Sequence, residues 1–369
     1  MAPIIRAMRD DPRFNPILCV TGQHREMMNS MLAHFQIEPD YHLDIMQSSQ
    51  GLSDITCLVL KEVERIIDRT TPDFFLVQGD TTTVMAASLA ALYKKVPIGH
   101  IEAGLRTGNI YAPWPEEANR KITGSIATLH FCPTLSAKEN LLRESVPERH
   151  IFVTGNTVID ALHFTLGDIE DDSAYQRKMR ERFSYLKSST GVADKRNVIL
   201  VTGHRRENFG QGLIDICEAI DRLSTREDIL VVYPVHLNPN VRKPVFNMLG
   251  DKENVVLLDP LDYRDFIFFM KNSRIILTDS GGVQEEAPSL KKPTLVMRDV
   301  SERMEAIESG AAKLVGTNPD TIYRETVRLI ENIETYEDMR IDRNPYGDGN
   351  SSKKILDAIS DYRHSKLNR

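Results

Sequence analysis

The stretch FFLVQGDTTT, Phe74–Thr83, decides the architecture. Phe74–Val77 is a short apolar run of strand length, it closes on Gly79-Asp80, and three threonines lead into a helical pattern. A strand that stops at Gly and Asp before a helix is the repeating unit of an open parallel sheet, which binds ligands at the carboxyl ends of its strands. Working outward, the same grammar returns at Ile17–Val20, Pro97–Ile101, Leu129–Cys132 and Ile151–Thr154. In the second half it returns at Val198–Thr202, Ile229–Val235, Val255–Leu258, Ile275–Thr278 and Thr294–Met297. Most of these runs precede helical stretches, which predicts an α/β protein with two Rossmann-like, doubly wound domains.

The 369 residues exceed one comfortable core and suit two. The polar segment near Tyr185–Arg196 reads as the join, giving an N-terminal domain over 1–188 and a C-terminal one over 189–351. A helix-like tail, 352–369, follows the turn Pro345–Gly349 and either finishes the second domain or packs back on the first. The opening MAPIIRAMRDDPRF reads as an amphipathic helix with Ile4, Ile5 and Met8 on one face. A doubly wound sheet normally opens on a central strand, so either this sheet is unusual or residues upstream of Met1 are missing.

Composition narrows the class. Apolar residues make up 41% and charged residues 27%, ordinary for a globular protein. No apolar run is long enough for a membrane span, and the N-terminus lacks a signal-peptide pattern, so the expected location is the cytoplasm. A net charge of -7 without a basic stripe excludes a nucleic-acid partner, yet local arginines and helix N-termini can still hold one small anion. Cys19, Cys57, Cys132 and Cys217 lie too far apart for a zinc knuckle or disulfide framework, and Cys19 and Cys132 read as buried thiols.

Six segments are candidates for chemistry. Asp80, after its strand, suits either proton transfer or capping of the next helix. In GHIEAGLRTG, Gly99–Gly108, His100 and Glu102 face the same side if the strand continues that far, with Arg106 nearby. In PWPEEANR, Pro113–Arg120, Pro115 and the Glu116-Glu117 pair suit a helix start. Glu116 and Arg120 form an i,i+4 pair, either a surface contact of about 0.3 kcal/mol or a base and an anion clamp. VTGHRRENFG, Val201–Gly210, sets His204 and Arg205-Arg206 beside glycines but matches neither the G-x-G-x-x-G nor the G-x-x-x-x-G-K-[ST] phosphate pattern. In TDSGGVQEE, Thr278–Glu286, the bare turn Ser280-Gly281-Gly282 between strand and helix offers N–H groups to an anion, and Glu285 or Glu286 is placed to accept from a diol. In HLNPNVR, His236–Arg242, the asparagines fit loop geometry as well as a site. No metal-ligand pattern and no G-x-S-x-G elbow is present.

These segments, with TGQHREM (Thr21–Met27), VTGNTVID (Val153–Asp160), YPVHLNPNVR (Tyr233–Arg242), DSGGVQEEAPSL (Asp279–Leu290) and NPYGDG (Asn344–Gly349), resemble the non-hydrolysing bacterial UDP-N-acetylglucosamine 2-epimerases nearly end to end. The resemblance implies a glycosyltransferase-B-like pair of Rossmann-type domains facing a cleft. It implies reversible epimerisation at C2 to UDP-N-acetylmannosamine through 2-acetamidoglucal and UDP, no metal or nicotinamide cofactor, a homodimer, and supply of surface polysaccharide. It assigns catalysis to Asp80, Glu102, Glu116 and His204, the diphosphate to Ser280, Gly281 and Gly282, the ribose to Glu286, and a clamp to Arg120. Most catalytic carboxylates then fall in the first domain and UDP binding in the second.

Two departures from the family pattern set further expectations. Members carry an N-terminal strand, a G-T-R-P-E loop and a nearby lysine ahead of the point where this sequence starts. The expected consequence is low activity for this polypeptide beside one extended upstream by about 15 residues. Members regulated by a second substrate molecule carry a glutamine and an arginine where Glu26 and Ser49 stand here, so a hyperbolic velocity curve is expected. The rival readings are a hydrolysing epimerase, a UDP-sugar glycosyltransferase of the same fold, and an inactive nucleotide-sugar-binding homologue.

Overall fold

The computed structural model describes residues 1–22, 25–45, 50–183 and 196–367. Ser49 lies outside them, and of Glu26 only the helical backbone is described. Packing divides the chain into two compact units, Met1–Ala161 with Tyr346–Arg369, and Leu162–Pro345. The join expected at Tyr185–Arg196 falls, but for Arg196, outside the described residues. The division found lies earlier, because Leu162, Ile169, Met179 and Phe183 bury against Val198, Leu200, Leu230 and Val232.

In the first unit the strands are β1 (Cys19–Val20), β2 (Tyr41–His42), β3 (Phe75–Gln78), β4 (Ile98–Ile101), β5 (Leu129–Cys132) and β6 (Ile151–Val153). β1 and β2 pair as a two-stranded parallel sheet, and the rest form a parallel sheet in the order β3-β4-β5-β6. Alternate residues feed opposite faces, as a pleated strand requires. Val77 and Ile98 join Val59, Val63 and Ala90 on one face, while Ile101, Leu129 and Phe131 join Ile4, Met8, Ile355 and Ile359 on the other. The opening segment is the expected helix, Ala2–Arg9, with Ile4, Ile5 and Met8 buried.

The helix Ser351–Leu367 supplies part of that second face. Asp160 caps it, accepting from the backbone N–H of Ser351 at 3.2 Å and of Ser352 at 2.7 Å. A carboxylate at a helix N-terminus contributes about 1 kcal/mol. Asn156 N–H donates to the Tyr346 carbonyl at 2.6 Å, so the segments VTGNTVID and NPYGDG meet to dock this helix.

The second unit contains β7 (Asn197–Thr202), β8 (Ile229–Pro234), β9 (Val255–Leu258), β10 (Ile275–Thr278), β11 (Thr294–Val296) and β12 (Ala312–Leu314). They form one parallel sheet in the order β12-β11-β10-β7-β8-β9, a doubly wound arrangement whose direction reverses between β7 and β10. Ile199, Val201, Val231 and Leu277 pack on one face, and Val198, Leu200, Val232 and Ile276 on the other. Full burial of each such side chain is worth about 1.5–3 kcal/mol. The expected α/β class and the ten strands read from sequence are all present. β2 and β12, two and three residues long, were not anticipated.

Cys132 and Cys217 are buried free thiols, whereas Cys19 is only half-buried and Cys57 exposed. No described helix is long and apolar enough to cross a membrane.

Candidate active site

The first unit gathers its chemistry at the ends of β3 and β4. After Gln78 the chain turns at Gly79, whose φ of +82° suits glycine. Thr81, not Asp80, caps the helix Thr82–Tyr93 by accepting from Val84 N–H at 3.3 Å. Asp80 is thereby released from the capping role. Its Oδ2 accepts from Arg120 Nε at 3.0 Å and Nη2 at 2.7 Å, while Asn119 Nδ2 donates to the Asp80 carbonyl at 2.9 Å.

The helix Glu116–Ile126 carries both Asn119 and Arg120 and has Glu116 and Glu117 in its first turn. The expected Glu116–Arg120 pair is replaced by Arg120 Nη1 donating to Glu117 Oε2 at 3.0 Å. Burial is the reason: Arg120 is 8% exposed and Glu117 0%, and buried charges must pair with each other. Glu116 is half-buried one turn before Arg120 on the same side of the helix.

His100 and Glu102 do not share a strand face, because β4 ends at Ile101 and Glu102 adopts a left-handed φ of +64°. His100 lies buried and its Nε2–H donates to the Gly79 carbonyl at 2.8 Å; burial pushes the ring down to about 4. It is a neutral prop under the Gly79–Asp80 turn. Glu102 Oε2 comes within 3.7 Å of the point where a Cβ on Gly79 would sit, so Asp80, Glu102 and Arg120 converge on one sheet edge. Arg106 instead binds Glu144 at 2.9 and 2.8 Å.

In the second unit the corresponding edge lies at the reversal between β7 and β10. Asp279, fully buried, accepts from the backbone N–H of His204 at 2.9 Å and of Arg205 at 2.9 Å, and from Asn208 Nδ2 at 3.2 Å. Burial would raise this carboxyl, but the bonds from the His204 side chain and from the Arg205 and His204 backbone hold it below its ordinary range. His204 Nδ1 lies 3.2 Å from Asp279 Oδ1, and its ring stacks on His236 at 6.0 Å. Asn238 caps the helix Pro239–Leu249, which accounts for that asparagine by loop geometry.

Ser280 is the N-cap of the short helix Gly281–Glu286, and its own N–H donates to Thr278 Oγ1 at 2.9 Å. A Cβ on Gly281 would lie 3.6 Å from Arg205 Nη2 and 3.7 Å from Arg303 Nη2, so two guanidinium groups flank a turn that already favours anions. Arg303 is itself paired with Glu285. Glu286 is buried beside Tyr263, whose hydroxyl donates to Oε1 at 2.5 Å. Among the described residues, no group of His, Cys, Asp and Glu converges as a metal site.

The profile of the UDP-N-acetylglucosamine 2-epimerase family matches residues 6–360. The chain belongs to this family. The UDP-N-acetylglucosamine 2-epimerase of Salmonella typhimurium is 50% identical over 366 residues, 99% of this chain and 96% of that protein. The structure of the Neisseria meningitidis UDP-GlcNAc 2-epimerase bound to UDP-GlcNAc is 46% identical and covers 97% of this chain and 95% of its own, with a TM-score of 0.90. MurG of Acinetobacter baumannii, at 14% identity and a TM-score of 0.57 over 98% and 94% of the two chains, shares the fold.

For a member of the epimerase family, several polar residues at these edges escaped the sequence reading, Glu117, Asp279 and Arg303 among them. Glu117 had a signal, since i,i+3 spacing to Arg120 pairs as well as i,i+4. Asp279 had a weaker one as the acidic residue closing β10. Arg303 had none, because its approach to Gly281 is a tertiary contact.

Proposed function

We propose that this chain interconverts UDP-N-acetylglucosamine and UDP-N-acetylmannosamine by non-hydrolysing epimerisation at C2. The observation that carries the reading is the Neisseria meningitidis relative, 46% identical over 97% of this chain, whose structure is described with UDP-GlcNAc bound. In the proposed reaction a carboxylate removes the C2 proton while the C1–O bond breaks and its electron pair leaves with UDP. The C1=C2 double bond of 2-acetamidoglucal results. A UDP oxygen then adds back to C1, and C2 takes a proton on the opposite face.

The C2 proton is weakly acidic, so leaving-group departure carries part of the barrier, and stabilising diphosphate charge matters as much as the base. Asp80, Glu102 and Glu116 are the proposed proton carriers, without assignment to a face, and His204 is a further catalytic group. Arg120 is the proposed clamp. Ser280, Gly281 and Gly282 hold the diphosphate in this reading, flanked by the Arg205 and Arg303 cations, and Glu286 accepts from the ribose. The same reading makes the enzyme a cytoplasmic homodimer that needs no metal or nicotinamide and supplies surface polysaccharide.

The test is UDP-N-acetylglucosamine in deuterated water. UDP-N-acetylmannosamine labelled at C2 is expected. Free N-acetylmannosamine with UDP would mean hydrolysis, a conjugate would mean glycosyl transfer, and binding without label would mean an inactive homologue; each overturns the proposal.

A further inference from the structure

We infer that Glu117 is a positioning residue for the reaction: it fixes the Arg120 guanidinium so that the Nε and Nη2 edge meets Asp80, and it ties that pair to the loop entering the helix. The inference rests on the epimerase reading above.

Glu117 is completely buried, yet its carboxylate is fully engaged. Oε2 accepts from Thr107 N–H at 3.2 Å and from Arg120 Nη1 at 3.0 Å, and Oε1 accepts from Gly108 N–H at 3.3 Å. An acidic residue that merely complements a helix dipole does so from the surface and has no need of burial or of loop amides. Removing a buried carboxylate from water is costly and is offset here by one cation and two backbone donors.

The geometry beyond Glu117 follows from the shape of arginine. A guanidinium is a rigid planar fork, so holding Nη1 fixes the direction of the remaining donors. With Nη1 on Glu117, both Nε and Nη2 reach the same oxygen of Asp80, at 3.0 and 2.7 Å. Asn119, from the same helix, holds the Asp80 carbonyl at 2.9 Å. Asp80 is thus oriented from two points on one helix, and the outer point depends on Glu117. The amides of Thr107 and Gly108 extend that dependence to the segment bearing exposed Tyr111 and Trp114.

Glu117→Gln keeps the shape but presents an amide N–H or a weaker acceptor to Arg120. The expected result is a fall in kcat of at least about 30-fold with KM for UDP-N-acetylglucosamine changed less than about threefold, the pattern of a lost transition-state interaction. Glu117→Asp, one methylene shorter, is expected to recover part of that kcat. The deciding measurement is the pair: if Glu117 acts through Arg120, adding Glu117→Gln to Arg120→Lys lowers kcat by less than about threefold, because residues acting as one unit are not additive. Wild-type kcat in Glu117→Gln, or a double variant whose loss is the product of the two single losses, overturns the inference. Should Glu117→Gln fail to fold, Glu117→Asp decides: reduced kcat supports positioning and wild-type kcat overturns it. A wild-type chain that exchanges no hydrogen at C2 refutes the epimerase reading itself, a separate outcome from either.

Discussion

The Tyr263 hydroxyl donates a 2.5 Å hydrogen bond to Glu286, a carboxyl only 4% exposed in the second unit. Burial pushes Glu286 up to about 8, against the opposing pull of the Tyr263 bond. The folded chain therefore keeps a proton that the unfolded chain, near the ordinary value of about 4.3, gives up. Stability from this group is complete below the ordinary carboxylate range and is lost as pH rises through about 8. Glu286→Gln cannot titrate, so its thermal midpoint should fall less than that of wild type between about pH 6 and about pH 9. Parallel curves for the two proteins would contradict the assignment.

Turnover tests the first-unit edge. Alanine at Asp80, Glu102 or Glu116 should each lower kcat by about 100-fold or more if these groups handle protons at the reacting sugar. Preserved turnover in all three variants would remove them from the reaction.

Asp279 holds the second-unit edge together. Its carboxylate anchors two backbone N–H groups, the His204 ring and Asn208. Asp279→Asn should destabilise the protein by about 2 kcal/mol, the worth of bonds to a charged acceptor, and loosen His204. Because its folded pKa is lowered, this contribution is present above the ordinary carboxylate range and lost as pH falls through the lowered value. Urea midpoints at neutral pH would expose the loss; equal midpoints would argue against it.

A Cβ on Gly281 makes ordinary contacts with Arg205 and Arg303, so alanine should be tolerated. The added methyls of Gly281→Val would displace both guanidinium groups and cover the turn's amides. UDP affinity by calorimetry should fall at least about tenfold, whereas Gly281→Ala should lose far less. Undiminished binding would place the diphosphate elsewhere.

The strands with sustained apolar runs, such as Ile229–Pro234 and Ile275–Thr278, were readable because burial on both faces leaves a continuous signature. β2 and β12 are too short to leave one. At the site, residue types and strand-edge positions were readable, but partners were not. Whether Asp80 or Thr81 capped the helix depended on backbone turning at Gly79, and Glu116 and Glu117 differ in burial rather than in local pattern. The expected alignment of His100 with Glu102 failed because a single left-handed residue ends the strand's alternation.

The C-terminal helix packed against Ile4 and Met8 has a consequence for the order of assembly. The second unit is one unbroken stretch, Leu162–Pro345, whereas the first draws on both sides of it. On a ribosome, which delivers the chain from its N-terminus, the second unit has every residue it needs before the first does. Until Ile355 and Ile359 emerge, one face of the β3–β6 sheet stays partly uncovered, with Ile101, Leu129 and Phe131 awaiting their cover. Chains truncated at Pro345 and released should then carry a protease-resistant second unit and a sticky first one, the form most in need of a chaperone.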